Sequence, residues 1–173
     1  MLTARFHATF GRDEISYDAH AAPGRRVHFE GTYRVRADPE KVWSILIDPQ
    51  RVVRYMPDVE VVELTQPDAD SVVGKVKAGV AFIKGTFTVD AKIVERDPPR
   101  HAKIRLRSQG MGSTIDVESS MSLARVGEDT EVAWAADAVI RGTIATIGAR
   151  LLPGIVEKKT QEFFEALRTQ VLQ

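Results

Sequence analysis

Across residues 59–140 apolar and polar side chains alternate in six successive runs, after which the chain closes with one amphipathic segment over 142–173. Period-two alternation describes strands with one dry face and one wet face. A dry face of that size must be covered, and only the last segment is long enough to cover it. The pattern therefore predicts an α+β layer of one antiparallel sheet closed by one C-terminal helix.

The six runs are 59–64, 72–80, 82–94, 102–108, 115–123 and 131–140. Turn-like links join them: Gln66-Pro67-Asp68, a junction at Gly79, Asp97-Pro98-Pro99, Gln109-Gly110-Met111-Gly112, and Gly127-Glu128-Asp129. Links this short imply a meander. Phe87, Val89, Leu106, Val117, Met121, Trp134 and Ala136 fall on the dry side, whereas Lys84, Asp90, Lys92, Arg105, Asp116 and Glu118 fall on the wet side.

Upstream, residues 27–35 alternate as a first strand. Asp38-Pro39-Glu40 and Asp48-Pro49 then each supply a helix start, with Asp38 and Asp48 as caps and proline at the first helical position. Two short helices follow, and Pro57 ends the second. Residues 2–10 also alternate and predict a half-buried strand, while 11–26 read as a loop or loose arm. The expected organisation is an N-terminal extension over 1–26 and a single domain over 27–173.

The last segment carries Ile144, Ile147, Leu151 and Ile155 at helical spacing, continued by Phe163, Leu167 and Val171. Pro153-Gly154 is expected to kink it. The nearly uncharged part before the kink reads as a lid over a cavity, the charged part after it as a packed surface helix.

Charge excludes some partners. With 24 Lys plus Arg against 24 Asp plus Glu there is no net basic field for nucleic acid. Cysteine is absent, which removes disulfides and thiolate chemistry, and asparagine is absent too. Depletion of both suits a thermophilic source. No apolar run reaches the roughly 20 residues that span a bilayer, and the first residues lack a secretory h-region, so a cytoplasmic location is expected.

Candidate chemistry is sparse. His7, His20, His28 and His101 show no metal-ligand spacing, and no metal or cofactor is expected. Asp90, Asp116 and Asp137 alternate to the wet side, where cross-strand pairing explains them. Gly110-Met111-Gly112 links two strands and opens no helix, so it is a hairpin at a cavity mouth with Met111 as an adaptable lid residue, not a phosphate loop. No catalytic residue is assigned. Trp43, Trp134, Phe87 and Met121 each read singly as core. Together with the small residues Ala91, Ser119, Ala136 and Ala138 they describe a face that its own side chains do not fill. The expected ligand wall is therefore Phe87, Val89, Leu106, Val117, Met121, Trp134 and Ala136 from the sheet, with Ile147, Leu151 and Ile155 from the last segment.

Three stretches carry a family resemblance: FEGTYRVRADPEKVWSILIDPQRVVRYMPDVEVVEL, GKVKAGVAFIKGTFTVDAKIVERDPP and IGARLLPGIVEKKTQEFFEAL. Over about residues 27 to 170 the chain resembles the START-like, Bet v 1-like helix-grip superfamily, also called SRPBCC. Within it the chain is most similar to the CoxG family of carbon monoxide dehydrogenase subunits; residues 1–26 do not match that pattern. The resemblance implies a curved antiparallel sheet wrapped around a long C-terminal helix, with two short helices after the first strand. It also implies a non-enzymatic accessory subunit of a molybdenum-containing carbon monoxide dehydrogenase, holding a lipid or quinone and coupling the enzyme to a membrane by peripheral contact. Two other readings stand beside it. A polyketide cyclase or aromatase would need ionisable groups converging in the cavity, where the inward polar residues are Ser119 and Tyr33. A protein-interaction subunit would need an exposed apolar patch, around Tyr55 and Met56 or along the last helix.

Overall fold

The structure, a computed structural model, describes residues 5–10, 24–147 and 150–171. Its strands are β1 (Arg5–Phe10), β2 (Arg25–Val35), β3 (Glu60–Asp68), β4 (Ser71–Val80), β5 (Ile83–Asp97), β6 (His101–Gly110), β7 (Ser113–Val126) and β8 (Asp129–Gly142). All join one antiparallel sheet in the order β1-β2-β8-β7-β6-β5-β4-β3. The meander from β3 to β8 follows from the short links, and β2 then pairs with β8.

The hairpin between β6 and β7 shows why a glycine is needed there. Met111 and Gly112 both have positive φ, 51° and 69°, with Gly110 opposite Ser113 on either side of them. Two left-handed residues give the primed turn whose twist matches the strands. Between β4 and β5 the turn is Ala81-Phe82, with Val80 opposite Ile83. Phe82 is thus a turn residue, 76% exposed, and not the first residue of a strand as alternation suggests.

Of the expected strand over 2–10, residues 2–4 lie outside the described residues; Arg5–Phe10 is a strand and pairs with β2, from Arg5 opposite Thr32 to Phe10 opposite Val27. Phe6 packs on Phe29 and Trp134, with ring centroids 6.0 and 6.2 Å away. Residues 11–23 of the expected arm lie outside the described residues.

Two short helices follow β2. α1 (Pro39–Leu46) buries Val42, Trp43 and Ile45; α2 (Pro49–Val52) runs into a 3-10 turn, Val53–Tyr55. Asp48 caps as its position predicts, accepting from the Gln50 amide at 2.9 Å. Asp38 does not cap. Its carboxylate instead accepts from Arg125 at 2.8 Å, while the buried Thr130 hydroxyl donates to the Ala37 carbonyl at 2.7 Å. A neighbouring strand has captured the side chain that local sequence assigns to the helix.

The final segment is not one kinked helix. A 3-10 turn, Thr143–Thr146, leads to an extended Ile147, and α3 runs over Leu152–Val171. Pro153 falls in the first turn of α3, where no intrahelical bond is lost, so it starts the helix and kinks nothing.

The core divides in two. One cluster holds Tyr33, Val35, Val42, Trp43, Leu123, Val132, Phe164, Leu167 and Val171; the other holds Val27, Phe29, Ile83, Phe87, Ala138, Ile140, Ile144, Ile147 and Leu152. Trp134 packs against both.

Candidate functional site

Between the two clusters the covered face of the sheet carries Gly31, Ser119 and Ala136 among larger apolar side chains. Reading the register across it, Gly31 lies opposite Trp134 and Trp134 opposite Met121; in the next row Phe29, Ala136, Ser119, Ile104 and Ile93 follow one another. The residues of these middle strands point to the helix side, yet Val89, Ala91, Ile93, Ile104, Leu106, Val117, Ser119 and Ala136 are only half-buried. The backbone of α3 approaches β2 and the Val53–Tyr55 turn most closely. The middle strands, which α3 approaches less closely, keep accessible surface on their inner face.

The structure distributes the expected ligand wall unevenly. Phe87 and Ile147 are buried within the second cluster, 4% and 2% exposed. Val117 and Ile155 pack on that cluster, Met121 on the first, and Trp134 on both. Val89, Leu106 and Ala136 line the half-buried middle. Leu151 is a correction: it is 59% exposed, and the neighbouring Leu152, 3% exposed, takes the inward position. Helical spacing links Leu151 to Ile147, but the chain is extended at Ile147 and the helical phase is reset before α3 begins.

Two polar atoms are buried here without a hydrogen-bond partner among the described residues, the Tyr33 hydroxyl and the Trp134 indole nitrogen. Tyr33 stacks on Phe164, centroids 4.2 Å apart and planes 8° apart. Its pKa is raised above the ordinary value, first by burial and then by the negative charge of Glu157. Glu157 precedes Phe164 by two helical turns on α3, on the same side of the helix as the ring that Tyr33 stacks on. Alternation marks Tyr33 as inward but gives no hint that its hydroxyl lacks a partner. In the sequence Glu157 reads as a surface charge; the signal that finds it is the stripe of Leu152, Thr160, Phe164, Leu167 and Val171 it borders.

At one end of the gap three apolar side chains stand in solvent: Phe82 at 76%, Leu151 at 59% and Met111 at 49% exposure. Met111 lies so close over Gly85 that a Cβ there would strike its sulfur. The β6–β7 turn thus lies against β5 beside the β4–β5 turn, and the Gly112 carbonyl accepts from the Thr143 amide at 3.3 Å.

The opposite face of the sheet is of another kind. Asp116 takes Arg107 at 3.0 Å and Arg141 at 3.1 Å, and Glu118 takes Arg105 at 2.9 Å. His28 sits 2.7 Å from Asp137 and 3.2 Å from Glu30; the Asp137 bond first, and then the Glu30 bond, raise its pKa above 6.5. An open depression of about 910 Å³ lies among these side chains, but ion-paired walls do not suit an apolar guest. Among the described residues no group of acids and histidines could hold a metal, and no helix is long and apolar enough to cross a membrane.

A curved antiparallel sheet gripping one long C-terminal helix, with two short helices after the first core strand, is the helix-grip fold. The sequence of residues 31–172 matches the family model of the carbon monoxide dehydrogenase subunit CoxG, and the chain belongs to that family. No curated protein sequence matches the chain. Among solved structures, a conserved protein of Geobacillus kaustophilus is similar over 83% of this chain and 93% of its own, with TM-score 0.75 and 23% identity. A protein of Rhodobacter sphaeroides is similar over 96% of this chain and 98% of its own, with TM-score 0.60 and 14% identity. Ara h 8.0201 is similar over 85% of this chain and 98% of its own, with TM-score 0.61 and 18% identity. At such identities the likeness shows the fold alone.

Proposed function

We propose that this protein binds a hydrophobic small molecule, a lipid or quinone, between its sheet and α3, and serves as an accessory subunit to a carbon monoxide dehydrogenase. The observation that carries the reading is the pair of packed clusters, bridged by Trp134, with a half-buried apolar stretch of sheet between them. A fully packed domain interior leaves no such surface under a covering helix. Val89, Leu106, Val117, Met121, Trp134 and Ala136 form the wall of this site, with Phe87, Ile147 and Ile155 at its rim end. The exposed Phe82, Met111 and Leu151 mark the mouth, the face presented to a membrane surface or to the enzyme when the guest is exchanged. The partner is taken from the family's description. The role is binding rather than catalysis, because the gap offers an apolar wall and few ionisable groups.

The test is organic extraction of the purified protein followed by mass spectrometry. A stoichiometric apolar molecule is the expected result, and its release by Ala136→Phe, which fills the middle of the wall, completes it. Protein that carries nothing and takes up no apolar probe overturns the reading.

A further inference from the structure

Beside the half-buried stretch of the covered face lie two buried donors that an all-hydrocarbon guest would leave unused. The Tyr33 side chain is 3% exposed, and its hydroxyl has no partner among the described residues; the Trp134 indole N–H, buried as well, has none there either. The two side chains are diagonal neighbours on one sheet face, since Tyr33 pairs with Val132 and Trp134 with Gly31. Diagonal neighbours lie within reach of long aromatic side chains. Burying a donor without a partner is costly, and natural cores rarely leave one so. Here two occur side by side, at the border of the partly filled stretch of the covered face.

Both groups can donate, and the indole N–H can do nothing else. A guest that satisfies both must therefore present an acceptor oxygen. The negative charge of Glu157 on α3 acts on the same hydroxyl, so an anionic acceptor placed there would meet like charge. We propose that Tyr33 and Trp134 form the head-group subsite of the ligand site, taking the carbonyl-type oxygen of an uncharged apolar molecule, and that Glu157 selects against fatty carboxylates. The inference rests on the ligand-binding reading and gives it a chemical class. Carbonyl oxygens of this kind occur in quinones and in lipid esters, and two arms of the experiment tell them apart.

The experiment measures binding of four probes of matched chain length to the full chain: a decyl-substituted benzoquinone, a methyl ester of a medium-chain fatty acid, decylbenzene, and the free fatty carboxylate. The carbonyl probe that matches the natural class should bind about tenfold tighter than decylbenzene, and the carboxylate should be the weakest. Tyr33→Phe should cost that carbonyl probe about fivefold and leave decylbenzene unchanged. Glu157→Gln should recover carboxylate binding by a similar factor. In ligand-free protein Tyr33→Phe should leave the urea midpoint unchanged or raise it, because a partnerless buried hydroxyl is removed.

A fall in the ligand-free urea midpoint would mean that the hydroxyl already has an internal partner, and would overturn the proposal. So would equal binding of the carbonyl probes and decylbenzene, which leaves the apolar carrier standing without a polar end. Failure of all four probes defeats the carrier reading and the subsite together. Should Tyr33→Phe fail to fold, Trp134→Phe with the same probe set decides: it keeps an aromatic ring and removes only the donor and part of the area.

Discussion

The two ends of the covered face are built differently. Around Val35, Val42, Val132 and Leu167, each at most 1% exposed, strands β2, β7 and β8 meet α1 and the C-terminal half of α3 without accessible surface. In the middle, Gly31, Ser119 and Ala136 lie on the same face of the sheet, and their neighbours on β5 and β6 stay half-buried. One sheet and one helix thus make a packed footing and an unpacked span. Stability concentrates where branched side chains close the layer; room arises where glycine, serine and alanine hold the strands without filling it.

The largest effect that can break this comparison is Leu167→Ala, which deletes a fully buried side chain in the footing. It should cost about 3 kcal/mol, read as a lower urea midpoint at constant slope, with apolar probe binding retained per folded molecule. Equal losses of stability and of binding would mean the footing and the span are one core. Next, Ala136→Leu should lower apolar probe affinity by about tenfold while changing stability by less than about 1 kcal/mol. A destabilisation of about 2 to 3 kcal/mol would show instead that the span is already filled.

A smaller test sharpens the boundary between helix and rim. Leu152→Ala should cost about 2 kcal/mol, whereas Leu151→Ala should stay within about 0.5 kcal/mol, both by urea denaturation. Reversed magnitudes would restore the helical phase that sequence spacing suggests. The smallest effect belongs to the wet face. Asp137 and then Glu30 favour the charged imidazole of His28 and raise its pKa above 6.5. Their contribution is therefore complete below about pH 6.5 and lost as pH rises through the folded value. As these side chains are partly exposed, about 0.5 kcal/mol is the scale, read by comparing urea midpoints near pH 6 and pH 8.5. Asp137→Asn should remove most of that pH dependence, and leave probe binding untouched because it lies on the opposite face.

Much of this organisation was legible in the chain. Alternation placed Phe87, Val117 and Trp134 on one side and Lys92, Arg105 and Glu118 on the other, because side-chain direction in a strand has a period of two whatever the partner strand. Proline after Asp48 marked the second short helix, because fixed φ and a short acceptor side chain act within three residues. Asp38, with the same local signal, was taken by Arg125 from β7, a competitor that no window around Asp38 contains.

The same limit accounts for Leu151 and for the polar end of the gap. Spacings of three and four are consistent with a helix but do not require one, and the extended backbone at Ile147 shifts which leucine turns inward. Tyr33, Trp134 and Glu157 lie on β2, β8 and α3, and only the pairing of β2 with β8 under α3 brings them together. By itself the sequence determined the layers, their dry face and the family to which the chain belongs, since each depends on short-range periodicity or on residue order. Which side chains that face leaves unfilled, and which donors it buries without partners, was decided by tertiary packing alone, because both are properties of neighbours brought together across the sheet.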